Sequence, residues 1–463
     1  MRLTTTHANA IRAGMRLDSR FHLENLPLSG ILAGRWPLAT VRDVFGQSNI
    51  LLPNIFERIP AQTEEFGKPI LVPYDCFRYM PYSNDLLSRA QVSSFASLEI
   101  KRGWLLMVCS GRNLGPVTLV DSHLEKFVLS HDMLRICSKV SDDLLYFMAL
   151  MHTKIGQVLV RRDRNGSVID HLDAKQLGAL RYPLVDESLR ALCVDSFRRA
   201  FLLRERARSK LNSLKQKFLE TVTLFDYESQ LKEQDLVRRF ERHRSSVKDR
   251  FDCEPFAPRY QRYKEMILET GAAKPIGSLA SVMKPPGRYK TLYVEEEDFG
   301  LKLMSGRNLA QFRPIGLKVM SKEAWSDPEA YILRRDMVLL TADGRAEENL
   351  ADCALVRADR DGWAASGHIH RLIPKAGVHP GLLYLACSCE PVQKLLKALA
   401  TGSVVDALSE WDVAGVIVPY PLGASGRKLG DEAVQAWDGF SQAIELEDAA
   451  ISELSAELAR VGS

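Results

Sequence analysis

The sequence predicts a mixed α/β (α+β) protein made of two similar modules, each running into a long helix. Three observations predict it. A motif recurs at a fixed offset, matching strand and loop patterns precede each copy, and an apolar seam marks the helical stretch after each. Self-similarity at so long a period decides the architecture before any local pattern does.

Asn165-Gly166-Ser167-Val168-Ile169-Asp170-His171-Leu172 is followed, after a short gap, by Tyr182-Pro183-Leu184. Thr401-Gly402-Ser403-Val404-Val405-Asp406-Ala407-Leu408 is followed at the same distance by Val418-Pro419, then Tyr420-Pro421-Leu422. Gly166 and Gly402, Asp170 and Asp406, and Pro183 and Pro419 all lie 236 residues apart.

Upstream, Lys101-Arg102-Gly103-Trp104 and the apolar run Leu105-Leu106-Met107 match Arg334-Arg335-Asp336-Met337 and Val338-Leu339-Leu340. Each is a basic pair, a turn and a buried strand, closed by a polar loop at Gly111-Arg112 and Gly344-Arg345. Met133-Leu134-Arg135-Ile136, after Ser130-His131, matches Ile369-His370-Arg371-Leu372, after Gly367-His368. Leu144-Leu145-Tyr146-Phe147 and Leu382-Leu383-Tyr384-Leu385 each open a helical stretch. The pentapeptide Ser-Gly-Arg-Asn-Leu occurs at 110–114 and 305–309, out of register with all of this, and is read as coincidence. In register, Ser305 to Leu309 faces Pro73-Tyr74-Asp75-Cys76-Phe77.

From Asp186 to about Leu219 there is no Gly or Pro. Phe197, Ala200, Arg204, Ala207, Leu211, Leu214 and Phe218 step by threes and fours. Trp437, Phe440, Ile444, Glu447, Ile451, Leu454 and Leu458 repeat those steps, each 240 residues later. This is a heptad seam with one polar position in each helix, Arg204 and Glu447. Either the helices pair, or each lies on its own module. Charge favours pairing: Arg198–Arg250 carries 15 Lys/Arg and 8 Asp/Glu, whereas Asp431–Ser463 carries 8 Asp/Glu and only Arg460. The mixed-charge segment Glu228–Arg250 is predicted helical, with no assigned role.

At 463 residues the chain is too long for one core and suits two modules with connecting helices. A net charge of +4 is too mild to argue for nucleic acid by itself. No stretch approaches the ~18 apolar residues of a membrane span, and Met1-Arg2-Leu3-Thr4-Thr5-Thr6 lacks a signal-peptide core. Eight scattered cysteines without zinc-binding spacing read as reduced thiols of a cytoplasmic protein. Phosphate-loop, dinucleotide, nucleophile-elbow and His-Glu-x-x-His motifs are absent. His368 and His370, two apart on an expected strand, read as a surface pair rather than metal ligands. A chain of this size without a catalytic constellation is expected to bind or assemble, not to catalyse.

Two α/β modules, each ending in Gly-Ser-Val-Ile/Val-Asp and Pro-Leu and each followed by a long helix, resemble the specificity subunit of type I restriction–modification enzymes. The resemblance covers essentially the whole chain. Order and duplication carry it, since each motif alone is short. It implies target recognition domains at 1–185 and 271–425, with helical spacer regions at 186–270 and 426–463. In that family each domain reads half of a split DNA sequence, while the helices form an antiparallel pair that holds the domains apart and docks methyltransferase subunits. The chain itself would be non-catalytic and carry no cofactor. S-adenosylmethionine, ATP and magnesium would belong to partner subunits: the methyltransferase and, where the complex restricts, a restriction/translocase subunit. Two features depart from the pattern. The segment to about Arg250 is longer than one spacer helix needs, and the facing loops differ strongly, so the two half-sites should differ.

DNA contact on this reading falls to basic and amide side chains on loops. In the first module these are Arg78, Tyr79, Lys101, Arg102, Arg112, Asn113, Arg161, Arg162 and Asn165. In the second they are Lys302, Arg307, Asn308, Arg334, Arg335, Arg345 and Arg371. A self-sufficient methyltransferase is the weaker rival, because its Asn/Asp-Pro-Pro-Tyr/Phe loop is missing and the one Pro-Pro is Pro285-Pro286. The other rival is a structural adaptor of a phage-defence complex with the same fold, binding protein rather than DNA.

A helix from Asp186 to Leu219 is about 50 Å long at ~1.5 Å per residue. Four residues inserted after Ala207 add about 6 Å and are expected to lengthen the gap between half-sites without altering them. Sequencing of methylated positions would measure this. An unchanged gap would show that the helices only dock partners.

Overall fold

The computed structural model describes residues 34–90, 95–162, 170–237, 239–241, 252–285, 291–295, 297–325, 327–402 and 405–460. They fall into two compact units, Met1–Glu205 with Gln442–Ser463, and Arg206–Ser441. These boundaries differ from the expected divisions at 186, 271 and 426. Both long helices are shared, so each unit takes part of each.

In the first unit the chain runs β1 (Leu38–Thr40), α1 (Val41–Phe45), β2 (Ile50–Leu51), β3 (Gly67–Leu71), β4 (Leu86–Ser88) and α2 (Phe95–Leu98). It continues through β5 (Leu105–Val108), β6 (Val117–Leu119), β7 (Val128–Leu129) and β8 (Met133–Ile136). Helices α3 (Asp142–His152), α4 (Lys154–Arg162) and α5 (Ala174–Ala179), then β9 (Arg181–Pro183), lead into α6 (Glu187–Thr221). One antiparallel sheet has the order β2-β8-β5-β6 and a smaller one β4-β3-β7, in which β3 and β7 are parallel; β1 pairs with β9. Strands β5 and β8 are buried along their whole length, as unbroken apolar runs require of central strands.

The second unit begins with α7 (Pro258–Glu269), β10 (Ala273–Pro275), α8 (Ile276–Leu279), β11 (Ala280–Met283) and β12 (Tyr293–Val294). There follow β13 (Gly300–Met304), α9 (Gly306–Leu309), β14 (Lys318–Ser321), β15 (Val338–Thr341), β16 (Asp343–Gly344), β17 (Cys353–Leu355) and β18 (Ala364–Ala365). Last come β19 (Ile369–Pro374), α10 (Pro380–Ser388), α11 (Glu390–Ala398), β20 (Asp406–Ala407), α12 (Glu410–Gly415), β21 (Ile417–Pro419) and α13 (Ala424–Ala459). The sheets repeat the first unit: β11-β19-β15-β17, then β12-β14-β13-β18 with β13 and β18 parallel, and β10 with β21.

The duplication extends to single side chains. Gln157 Nε2 donates to the Met151 and Gly115 carbonyls, and Gln393 Nε2 to those of Cys387 and Ala351. Asp173 caps α5 and Ser409 caps α12, each accepting from the backbone N–H three residues on. Arg135 and Arg371 occupy matching positions, opposite Leu106 and Leu339. Arg135 is fully buried and donates to the carbonyls of Ser97 (2.5 Å), Leu98 and Leu129 (3.3 Å each). Arg371 is also buried and donates to Ile332 (3.2 Å). Both guanidiniums tie β8 or β19 to the short turn of chain ahead of the central strand.

The identical pentapeptides occupy different places, as register required. Ser110 to Leu114 follows β5, whereas Ser305 caps α9 after β13, where the first unit has the 3-10 turn Pro73–Phe77. Two expectations need correction. Helix α6 ends at Thr221, and the described residues beyond Glu228 form turns and a 3-10 turn at Glu233–Asp235, not the predicted helix; 242–251 lie outside the described residues. Thr223, at φ 58°, breaks the helical path. His368 and His370 are not a surface pair. His370 points inward from β19, its Nε2 2.9 Å from the Leu408 carbonyl, and burial lowers its pKa; His368 lies in the preceding turn, exposed.

Removing a guanidinium that satisfies two buried carbonyls and one partly buried one leaves acceptors unpaired, at about 1–3 kcal/mol for each buried acceptor before relaxation. Arg135→Ala is therefore expected to destabilise the protein by ~3 kcal/mol or more in chemical denaturation. A loss below ~1 kcal/mol would show that water takes over the site.

Candidate nucleic-acid interface and helix pair

The helix seam is buried, with Ile451 alone only partly covered. In the first unit Cys193, Phe197 and Phe201 of α6 share one core with Ala450, Leu454 and Leu458 of α13, and with the strands and α3 of the module. The helices therefore pair and also lie on the module, so the two sequence readings were not exclusive. Arg204 Nη2 meets Glu447 Oε1 at 2.6 Å, both side chains withdrawn from water. In the second unit Ala207, Leu211, Leu214 and Phe218 are buried, as are Trp437 and Phe440, and Lys210 donates to Gln435 (2.8 Å). Two arginines of α6 reach its own module instead: Arg190 pairs with Asp143 and Arg198 with Asp142, both at the start of α3.

Several of the expected DNA contacts lie at one or other end of the central strand. At its start, Arg102 forms a two-pronged bond to Glu205 of α6 (2.8 Å on each oxygen), and the Ser122 N–H adds a third (3.0 Å). The second unit repeats the arrangement on α13. There Arg357 grips Asp438 (2.7 and 3.2 Å), Arg335 approaches it (3.7 Å), and the Asp359 N–H donates to Ser441. Arg102 and Arg335 are thus helix-docking residues. Lys101 is exposed beside Arg102, and Arg334 pairs with Glu329 (2.7 Å).

At the other end of the strand, Arg112 is exposed, Asn113 donates to the Tyr74 hydroxyl (3.3 Å), and Arg161 donates to the Leu114 carbonyl (3.0 Å). Half-exposed Arg162 follows at the end of α4, and Asn165 lies outside the described residues. Arg78 is largely covered, 4.5 Å over the Tyr82 ring and 3.9 Å from Asp75. In the second unit Arg345 is 71% exposed with only a surface pair to Glu348, and Arg307 is exposed on α9, which packs beside this strand end. Lys302 pairs with Glu297 (3.0 Å) over the Trp363 ring.

Three expected contacts are corrected by burial. Tyr79 is core. Asn308 is buried, bonding Ser305 and the Ile315 carbonyl within the α9 cap. Arg371 is buried and holds the partly buried Ile332 carbonyl, and its pKa is lowered by desolvation. Glu205, Arg357 and Asp438 were missed. For Glu205 and Asp438 the signal was only a single charge on a predicted helix face, and Arg357, just after a strand, offered none. All eight cysteines are unbridged, and burial pushes the thiols of Cys109 and Cys193 up to about 12 and 11. Among the described residues no three metal-binding side chains converge, and no helix is long and apolar enough to cross a membrane.

No protein-family model and no curated protein matches the sequence. Among solved structures, the chain is similar to the type I restriction-modification S subunit of M. genitalium, with 11% identity, 92% of this chain and 96% of that one covered, and a TM-score of 0.35. It is also similar to the HsdS subunit of Thermoanaerobacter tengcongensis (13%, 92% and 94%, TM-score 0.27). A third similarity is to a chain from a structure on assembly and conformational transition of the type I R-M system (12%, 92% and 96%, TM-score 0.28).

The Arg102 bond holds the Glu205 carboxyl down to about 2, against an ordinary 4.5. A depressed acid stabilises the fold above its unfolded value and loses that contribution as pH falls from 4.5 towards 2. Discounted for the half-exposed guanidinium, it is worth about 1–2 kcal/mol at neutral pH. Glu205→Gln is expected to lose less stability than the parent between pH 6 and pH 3, read by urea denaturation. Equal losses would remove the carboxylate from the acid response.

Proposed function

We propose that this chain is the DNA sequence-specificity subunit of a type I restriction–modification or related methylation-based phage-defence complex. It binds a bipartite, asymmetric duplex target and docks methyltransferase subunits. One observation carries the reading: two modules of the same strand order, each leading into a helix of 35 or 36 residues, present different side chains at matching strand ends. Duplicated scaffolds with divergent tips are what reading two unlike half-sites needs. Phosphate contacts position such a protein, and base contacts specify the site. Of the arginines considered, Arg112 and Arg345 are best placed for either task, exposed at equivalent tips.

With its methyltransferase partner, the chain is expected to direct methylation of a split, non-palindromic sequence. Sequencing of modified positions in host DNA, with and without the chain, tests it; a continuous or palindromic motif would refute it. Arg112→Ala and Arg345→Ala should each weaken one half-site by ~1–3 kcal/mol if the lost contact is bidentate to a base. Equal loss on all sequences would mark phosphate contacts instead. Binding to random duplex that does not fall steeply with salt would favour the protein-binding adaptor.

A further inference from the structure

Resting on that reading, we propose that Asp406 is a positioning residue for DNA recognition. It sets the turn that carries Arg345 and touches no base itself. The Asp406 carboxylate, from the recurring motif, accepts the Ala346 N–H at 2.8 Å. Beneath it β16 and β20 pair, Asp343 opposite Ala407 and Gly344 opposite Asp406. The Leu408 N–H continues the attachment to the Ala342 carbonyl (2.8 Å). On the other flank Asp343 receives His368 Nδ1 (2.6 Å) and Lys284 Nζ (3.3 Å). Within the turn the Leu350 N–H bonds the Arg345 carbonyl (3.2 Å), and the Arg345 side chain stands exposed at the tip.

The first module holds its own tip from the same place. Ser110 pairs with His171, the Gly111 N–H donates to the Asp170 carbonyl (2.9 Å), and the Leu172 N–H to that of Cys109 (2.9 Å). Arg112 is the exposed residue there. The holder is common to both modules, and the tips differ: Arg112-Asn113-Leu114 against Arg345-Ala346-Glu347. A motif repeated so closely beneath tips so unlike is explained if its work is to fix where the tip points. A backbone N–H bonded directly beside Arg345 fixes its Cα far more tightly than the surface pair with Glu348 can.

The test uses the full chain in its complex with the methyltransferase. Probes are duplexes of the methylated sequence, altered by single bases in either half-site, with Arg345→Ala marking the half-site of the second module. Asp406→Ala is expected to lower discrimination at that half-site about tenfold. The other half-site and the salt-dependent affinity for random duplex should be unchanged. Hydrogen exchange at the Ala346 amide should accelerate. Asp406→Asn, whose amide oxygen still accepts the bond, should restore both readouts. Parental discrimination in Asp406→Ala overturns the proposal, as does an Asn variant as defective as Ala, or equal loss at both half-sites. If the parent complex binds no duplex, the functional reading itself fails, while unchanged Ala346 exchange in Asp406→Ala refutes the holder independently.

Discussion

A guanidinium and a carboxylate withdrawn from water set how α6 meets α13. Arg204 and Glu447 lie in an apolar seam where each alone would be an uncompensated buried charge, costing several kcal/mol. Sliding either helix by one turn separates them, so their closeness is less a gain in stability than a penalty on every other register. Neighbouring seam residues then have one way to pack, with Phe197 and Phe201 against the Ala450, Leu454 and Leu458 face. Each helix also carries the carboxylate that receives its own module's arginine, Glu205 on α6 for Arg102 and Asp438 on α13 for Arg357.

Each module docks through a carboxylate on the helix that follows it. The contacts are analogous but not copied: one uses Arg102 from the turn before the central strand, the other adds Arg357 from just after the neighbouring edge strand β17. The buried frame is duplicated more strictly. Gln157 and Gln393, and Arg135 and Arg371, sit at one offset and serve backbone carbonyls at matching places, because a carbonyl lost inside the fold has no substitute partner. Solvent-facing tips have no such obligation and have diverged.

That difference explains what the sequence could reveal. Period and offset disclosed the modules, the central strands and the polar seam positions, because burial writes apolar spacing directly into the chain. Side-chain exposure is not written there. Arg371 and Arg345 look alike as basic residues beside strands, yet one is buried on a backbone carbonyl and the other faces solvent. His370 looked superficial for the same reason: alternation on a strand assigns faces, but both faces of β19 are covered. The stretch after Phe225 misled through composition. Helix-forming residues are abundant in it, but the left-handed Thr223 ends α6, and the described residues from Asp226 to Leu236 form turns.

The core of the first unit contains residues from both ends of the translation order. Leu144, Phe147 and Phe197 share it with Ala450, Leu454 and Leu458. During synthesis the earlier residues leave the ribosome more than two hundred codons before the later ones, at ~5–20 residues per second. The second unit separates them in the chain. For that interval the part of this core that Ala450, Leu454 and Leu458 complete lacks its cover from α13. Transiently uncovered apolar surface favours association, so a second nascent copy missing the same cover is the hazard nearest at hand on a polysome.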